Sequence, residues 1–186
     1  MTMRTTPPVR LSAAVLATAL GLTACAATES EPGPGTTAEG EPEREAGSAF
    51  DFETRTLDGD ALGGEELRGE PVVLWFWAPW CVVCRSEAPG VLEAADRFDG
   101  QVEFVGVAGR GEVDEMQRFT ADTSTDGLTH IVDEDGAVWS GFGVASQPAF
   151  AFLRPDGTFT TVTGTLAEDD LDDRVRTEVL AGRDGG

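Results

Sequence analysis

The sequence predicts an α/β domain with a mixed sheet and helices on both faces, and three observations carry that prediction. Apolar strand-like runs alternate with segments of helical spacing, as in consecutive βα units. One run, Val72-Val73-Leu74-Trp75-Phe76-Trp77, is apolar at every position, as expected of a buried strand. Further on, Arg154-Pro155-Asp156-Gly157 is a turn signal between two short β-rich runs, so the last strands read as a hairpin.

The elements follow in order. Phe50-Asp51-Phe52-Glu53-Thr54 alternates and reads as a first strand, closed by the turn Asp58-Gly59-Asp60. Gly64–Arg68 reads as a short helical turn before the central strand 72–77. A helix is expected from Arg85 to Phe98, kinked at Pro89, whose ring nitrogen has no hydrogen to donate. Val102–Val107 is a second buried strand. Glu112–Ala121 has helical spacing through Val113, Met116 and Phe119, with Met116 and Phe119 read as core residues. A short strand (Leu128–Val132), a short helix (Ala137–Phe142) and the hairpin strands Ala149–Leu153 and Thr158–Thr163 follow. Ala167–Leu180 closes as an acidic helix with Leu171, Val175 and Val179 along one face.

Not all 186 residues belong to this domain. Residues 1–24 have the form of an export signal: Arg4 and Arg10 with no acid, then the apolar stretch Leu11–Leu22, too short to span a bilayer. Residues 25–49 read as a linker. Their Glu-, Pro- and Gly-rich stretch at 29–45 lacks large apolar side chains and cannot offset the entropy of ordering. The domain proper is then 50–186, long enough for one core. The formal net charge is −21, and every one of the thirteen basic residues is arginine. Such a charge argues against nucleic acid and anionic lipid surfaces as partners.

Cysteine placement carries the chemistry. Cys81-Val82-Val83-Cys84 stands directly after the central strand and at the start of a helix. Backbone N–H groups at a helix N-terminus favour thiolate over thiol at the first cysteine. Positions i and i+3 share a helix face, so Cys84 can close a disulfide with Cys81, which an exported protein retains. A static structural disulfide is the alternative. One cysteine pair plus the lone His130 does not supply the four ligands of structural zinc, so no metal is expected, and no motif calls for a cofactor.

The block Val-Val-Leu-Trp-Phe-Trp-Ala-Pro-Trp-Cys-Val-Val-Cys-Arg-Ser-Glu-Ala-Pro (72–89) resembles the active-site block of the thioredoxin superfamily, in its TlpA/ResA/DsbE-like branch. Within it the chain most resembles secreted actinobacterial DsbE-like proteins. Gly-Phe-Gly-Val-Ala-Ser-Gln-Pro-Ala-Phe-Ala-Phe (141–152) and the Arg-Pro-Asp-Gly-Thr hairpin fit the same branch. The resemblance covers residues 50–180. It implies a thioredoxin-like fold with a TlpA-type N-terminal strand and a central insertion of one strand and one helix between Ala121 and Phe142.

It also implies roles. Cys81 matches the exposed attacking thiolate and Cys84 the buried resolving thiol. Pro148 matches the cis-proline beside the active site, and Gln147 the residue that offers its backbone to a substrate strand. Trp80 matches a flank of the docking surface. Glu87 matches an acid placed near the dithiol, able to hold a proton, though it also reads as a helix-surface acid. Leu-x-Ala-Cys at 22–25 resembles a bacterial lipobox, making Cys25 the lipidated residue of a membrane-anchored protein. An ordinary secreted protein with an idle Cys25 is the alternative.

Two departures stand out. Trp75 occupies the place where thioredoxins carry a buried Asp. The Val-Val pair between the cysteines adds no positive charge, which leaves the helix terminus and Arg85 to support the thiolate. A Cys81 pKa moderately below that of a free thiol, and a disulfide less oxidising than the strongest bacterial oxidants, are therefore expected.

The function implied is extracytoplasmic thiol–disulfide exchange on the thiols of exported proteins, in the oxidase direction, with a quinone-linked reoxidase in the membrane. The same site running as a reductase, for cytochrome c maturation or similar substrates, would draw on a membrane reductase instead. A copper chaperone is disfavoured because the cysteine spacing is one residue short and the only histidine is His130. A peroxidase of the peroxiredoxin class is disfavoured by Ala78, where that class has Thr or Ser.

Overall fold

The computed structural model describes residues 49–181. The export signal, Cys25 and the acidic linker as far as residue 48 lie outside the described residues. The domain opens with a small hairpin, β1 (Glu53–Arg55) against β2 (Ala61–Gly63). A 3₁₀ turn over Gly64–Leu67 leads into β3 (Val72–Trp77) and α1 (Val82–Arg97). Then come β4 (Glu103–Gly109), α2 (Val113–Thr123), β5 (Thr129–Asp133) and α3 (Ala137–Gly141). The hairpin β6 (Ala149–Leu153) and β7 (Phe159–Thr163) precedes α4 (Glu168–Arg174), which continues as a π-helical turn through Val175–Val179.

Five strands form the main sheet in the order β5-β4-β3-β6-β7. β3, β4 and β5 run parallel, while β6 is antiparallel to β3 and to β7, so the sheet is mixed. β3 lies at its centre with all six residues buried, which is why its sequence does not alternate. Val73, Trp75 and Trp77 face the layer that holds α1, α2 and the C-terminal helix, through Val91, Phe119 and Leu171. Val72, Leu74 and Phe76 face the opposite layer, with Phe50, Val138, Trp139 and Phe142. Each such side chain contributes ~1.5–3 kcal/mol of burial, so the strand that delivers the cysteines is firmly anchored in the core.

Three expectations shift. The N-terminal strand is a hairpin whose first arm begins at Glu53; Phe50 is instead a core residue packed edge-on against Phe142 at 5.5 Å. Its partner β2 was not anticipated, because three residues give no measurable alternation. α1 begins at Val82 rather than Arg85, since Cys81 itself caps it. The helix runs on through Pro89, which lies on its exposed side. The expected inserted strand and helix are β5 and α3.

Candidate active site

β3 ends at Trp77, and Ala78-Pro79-Trp80 carries the chain over the end of the sheet into Cys81, the N-cap of α1. The Cys81 N–H donates to the Ala78 carbonyl at 3.0 Å, closing this turn. Cys81 and Cys84 are joined in a disulfide with Cα atoms 5.3 Å apart. The N–H of Cys84 donates to Cys81 Sγ at 3.0 Å, so the sulfur takes the place of a capping oxygen. A thiolate formed there on reduction would meet the same donor and the positive end of the helix dipole.

Cys81 is less open than expected. It is 7% exposed against 0% for Cys84, because its sulfur turns inward over the helix end. The order of exposure is as anticipated, but the surface is made by the neighbours: Trp80 is 59% exposed, Val82 78% and Val83 47%. These three form an apolar rim around a nearly covered disulfide.

The peptide bond Gln147–Pro148 is cis. Ala149 pairs with Phe76 in the β6–β3 register, which sets Pro148 level with Trp77, at the sheet end from which the cysteine loop departs. The Pro148 carbonyl accepts from Gly164 N–H at 2.8 Å. Gln147 is half-buried, and its Oε1 is buried without a hydrogen-bond partner among the described residues.

Glu87 lies one helical turn beyond Cys84. Its Oε2 accepts from the Trp75 indole at 3.1 Å, and its Oε1 from the Leu166 N–H at 3.1 Å. Burial nevertheless dominates and pushes its pKa from 4.5 up to about 7, against the pull of both hydrogen bonds. A cleft of about 290 Å³ lined by Glu87, Gly90 and Leu166 opens beside it. Trp75, which stands where thioredoxins have an acid, is thus the residue that binds the acid supplied by α1.

Arg85 does not serve the thiolate as expected. Its guanidinium pairs with Asp122 on α2 at 3.2 Å and lies 4.9 Å over the Phe119 ring. That charge is neutralised on the flank of the helix, leaving the helix terminus as the main source of positive potential at Cys81. His130, assigned no role from sequence, is buried and accepts at Nδ1 from the Trp77 indole at 3.3 Å. An indole only donates, so Nε2 carries the proton and donates to the Thr125 carbonyl at 2.8 Å. Burial lowers the pKa of this neutral imidazole.

The two hydrogen bonds of Glu87 escaped sequence reasoning because Trp75 and Leu166 lie far from it along the chain. Nor did the sequence single out Arg110, whose carbonyl accepts from the Trp80 indole at 2.7 Å.

The AhpC/TSA family model matches residues 46–162. The chain is 41% identical over 133 residues to the soluble secreted antigen MPT53 of Mycobacterium tuberculosis, covering 70% of this chain and 76% of that protein. The structure of MTB DsbF, in mixed oxidised and reduced forms, superposes with a TM-score of 0.67 at 45% identity, over 70% of this chain and 96% of the other. A secreted Mycobacterium tuberculosis disulfide oxidoreductase described as homologous to E. coli DsbE gives 0.65 at 39% identity, over 70% and 98%. The chain belongs to the AhpC/TSA family and shares the thioredoxin-like fold of these relatives.

Proposed function

We propose that this chain works as an extracytoplasmic thiol oxidase, introducing disulfides into exported proteins. The coarser activity is that of a thiol–disulfide oxidoreductase of the DsbE/ResA type, with Cys81 and Cys84 as its redox pair. The observation that carries the reading is the Cys81–Cys84 disulfide at the cap of α1, ringed by exposed Trp80, Val82 and Val83. An apolar rim suits unfolded chains, which expose apolar segments around their cysteines.

A substrate thiolate attacks Cys81 Sγ, forming a mixed disulfide and expelling Cys84 as a thiolate that takes up a proton. Glu87, one turn away and titrating near neutrality, is suited to supply and recover that proton. A second substrate thiolate then attacks the substrate sulfur of the mixed disulfide, and Cys81 leaves as a thiolate held by the Cys84 N–H. The substrate has lost two electrons and two protons; one proton is on Cys84, the other passes to solvent or to Cys81, and the enzyme is fully reduced. A membrane partner of the quinone-linked class takes those electrons. Pro148 and the backbone of Gln147 receive the substrate strand, with Trp80 against its flank.

Likeness to the secreted relatives supports work outside the cytoplasm, and the lipobox-like sequence supports anchoring through Cys25. Replacing Cys25 by Ser would release an anchored protein to the medium; unchanged membrane recovery refutes the anchor.

One observation favours the reverse direction. With Val82-Val83 between the cysteines and Arg85 held by Asp122, little beyond the helix end stabilises the thiolate, which suits a reductase fed by a membrane reductase. Incubating the oxidised protein with reduced, denatured ribonuclease decides between them. Recovery of ribonuclease activity with loss of the Cys81–Cys84 disulfide is expected; if neither occurs, the oxidase reading fails.

A further inference from the structure

We propose that Arg110 is a positioning residue that ties the two loops of the docking face, Trp80 on one side and Ala145–Pro148 on the other, into a single surface. The inference rests on the redox reading above. Arg110 directly follows β4 and adopts a left-handed backbone at φ 58°, uncommon for a residue with a side chain. From that one position it reaches both loops. Its carbonyl accepts from the Trp80 indole at 2.7 Å, while its Nη2 donates to the Ala145 carbonyl at 2.7 Å. The guanidinium also lies 4.8 Å over the Trp139 ring, which holds it in place.

The neighbouring glycines show how tightly this loop is seated. A Cβ on Gly111 would collide with Pro79 Cγ, the residue just before Trp80, and one on Gly109 would meet the Trp139 ring at 2.8 Å. Gly111 is thus pressed against the cysteine loop and Gly109 against Trp139, while the Arg110 side chain reaches across to the segment that leads into Pro148.

The consequence for function is preorganisation. A substrate strand received at Gln147 and flanked by Trp80 must find both at a fixed separation. Without the tie, binding has to order the Ala145–Gln147 segment, which weakens binding of an extended chain. A small dithiol that reaches only the sulfur needs no such surface. Loss of the tie therefore acts on KM for polypeptides more than on the exchange step.

The test compares wild type, R110G and R110K in the oxidised form, each with a reduced two-cysteine peptide and with dithiothreitol. Glycine adopts positive φ without strain, so R110G can keep the carbonyl for Trp80 while removing the side chain, and R110K controls for the run of three glycines that R110G creates at 109–111. The ratio of peptide to dithiothreitol kcat/KM should fall roughly tenfold in R110G, mostly through KM. R110K, which keeps one charged donor for Ala145, should recover part of that loss. An unchanged ratio in R110G, an equal fall for both substrates, or R110K no better than R110G overturns the proposal. If wild type itself does not oxidise the peptide, the oxidase reading fails; the same ratio, measured with reduced enzyme on oxidised peptide and on hydroxyethyl disulfide, a small linear disulfide, then decides the role of Arg110.

Discussion

Replacing Glu87 by Gln tests the most unusual electrostatic feature of the site. In the folded protein this carboxyl keeps its proton up to about pH 7, whereas a carboxyl of ordinary pKa 4.5 has released it long before. Between those values the native state binds more protons than the unfolded chain, so stability falls as pH rises through the window. At 1.36 kcal/mol per pH unit the full effect is at most ~3 kcal/mol. Solvent reaches the carboxyl along its cleft, and screening reduces the figure to ~1–2 kcal/mol. Glutamine does not titrate. Its amide nitrogen must face either the Trp75 indole or the Leu166 N–H, both donors, which costs E87Q ~1 kcal/mol at every pH. Urea unfolding of the oxidised proteins from pH 4.5 to 8 should show E87Q the less stable at the acid end, with the gap closing or reversing by pH 8. Other acids titrate equally in both proteins and cancel. A difference independent of pH would refute the elevated pKa, and with it the suitability of Glu87 as proton donor to Cys84.

Three further outcomes follow from the same contacts. W75F removes a donor that holds the Glu87 pKa down, so Glu87 should titrate above wild type by carboxyl NMR, with ~2 kcal/mol of stability lost from the core; an unchanged titration would break the link between strand and acid. His130 is buried neutral with a lowered pKa, and Asp58 and Asp126 are the charges that oppose the shift. The unfolded chain therefore binds the extra proton first, so the His130 contribution is lost as pH falls below 6.5, and the Tm of wild type should fall relative to that of H130Q over that range. Parallel Tm curves would contradict this. In G106A the added Cβ would run into His130 Nδ1 and come within 2.8 Å of the Trp77 indole nitrogen, deep in the sheet. Equilibrium unfolding should show a loss of ~3 kcal/mol, and a loss under ~1 kcal/mol would mean that the ring pair can move aside.

Much of this was legible in one dimension because the signals were local. β3 declared itself by unbroken apolarity, β6 and β7 by a four-residue turn, and the redox pair by spacing and position. Cys84 is buried and Pro148 follows a cis bond, as resemblance implied. The misplaced features share a cause. Arg85 was placed near the thiolate by chain proximity, but a guanidinium on a long stem goes to the best partner in reach, here Asp122 and the Phe119 ring. The start of α1 shifted because a sulfur took the capping role normally read from Ser, Thr, Asp or Asn. Glu87 could be named from resemblance, yet its partners Trp75 and Leu166 come from other elements, and no spacing rule connects them.

By itself, then, the sequence determined the reaction class and the frame. A buried strand running into Cys-Val-Val-Cys at a helix start leaves little latitude, because apolar burial and helix geometry act over a few neighbouring residues. The tertiary structure alone decided the state of the charges around that motif. Desolvation raises Glu87 toward neutrality, Asp122 takes Arg85 away from the sulfur, and Arg110 links two loops that approach only when β3, β4 and β6 lie side by side. Such effects depend on distances between groups far apart in the chain, and those distances exist only once the sheet has formed.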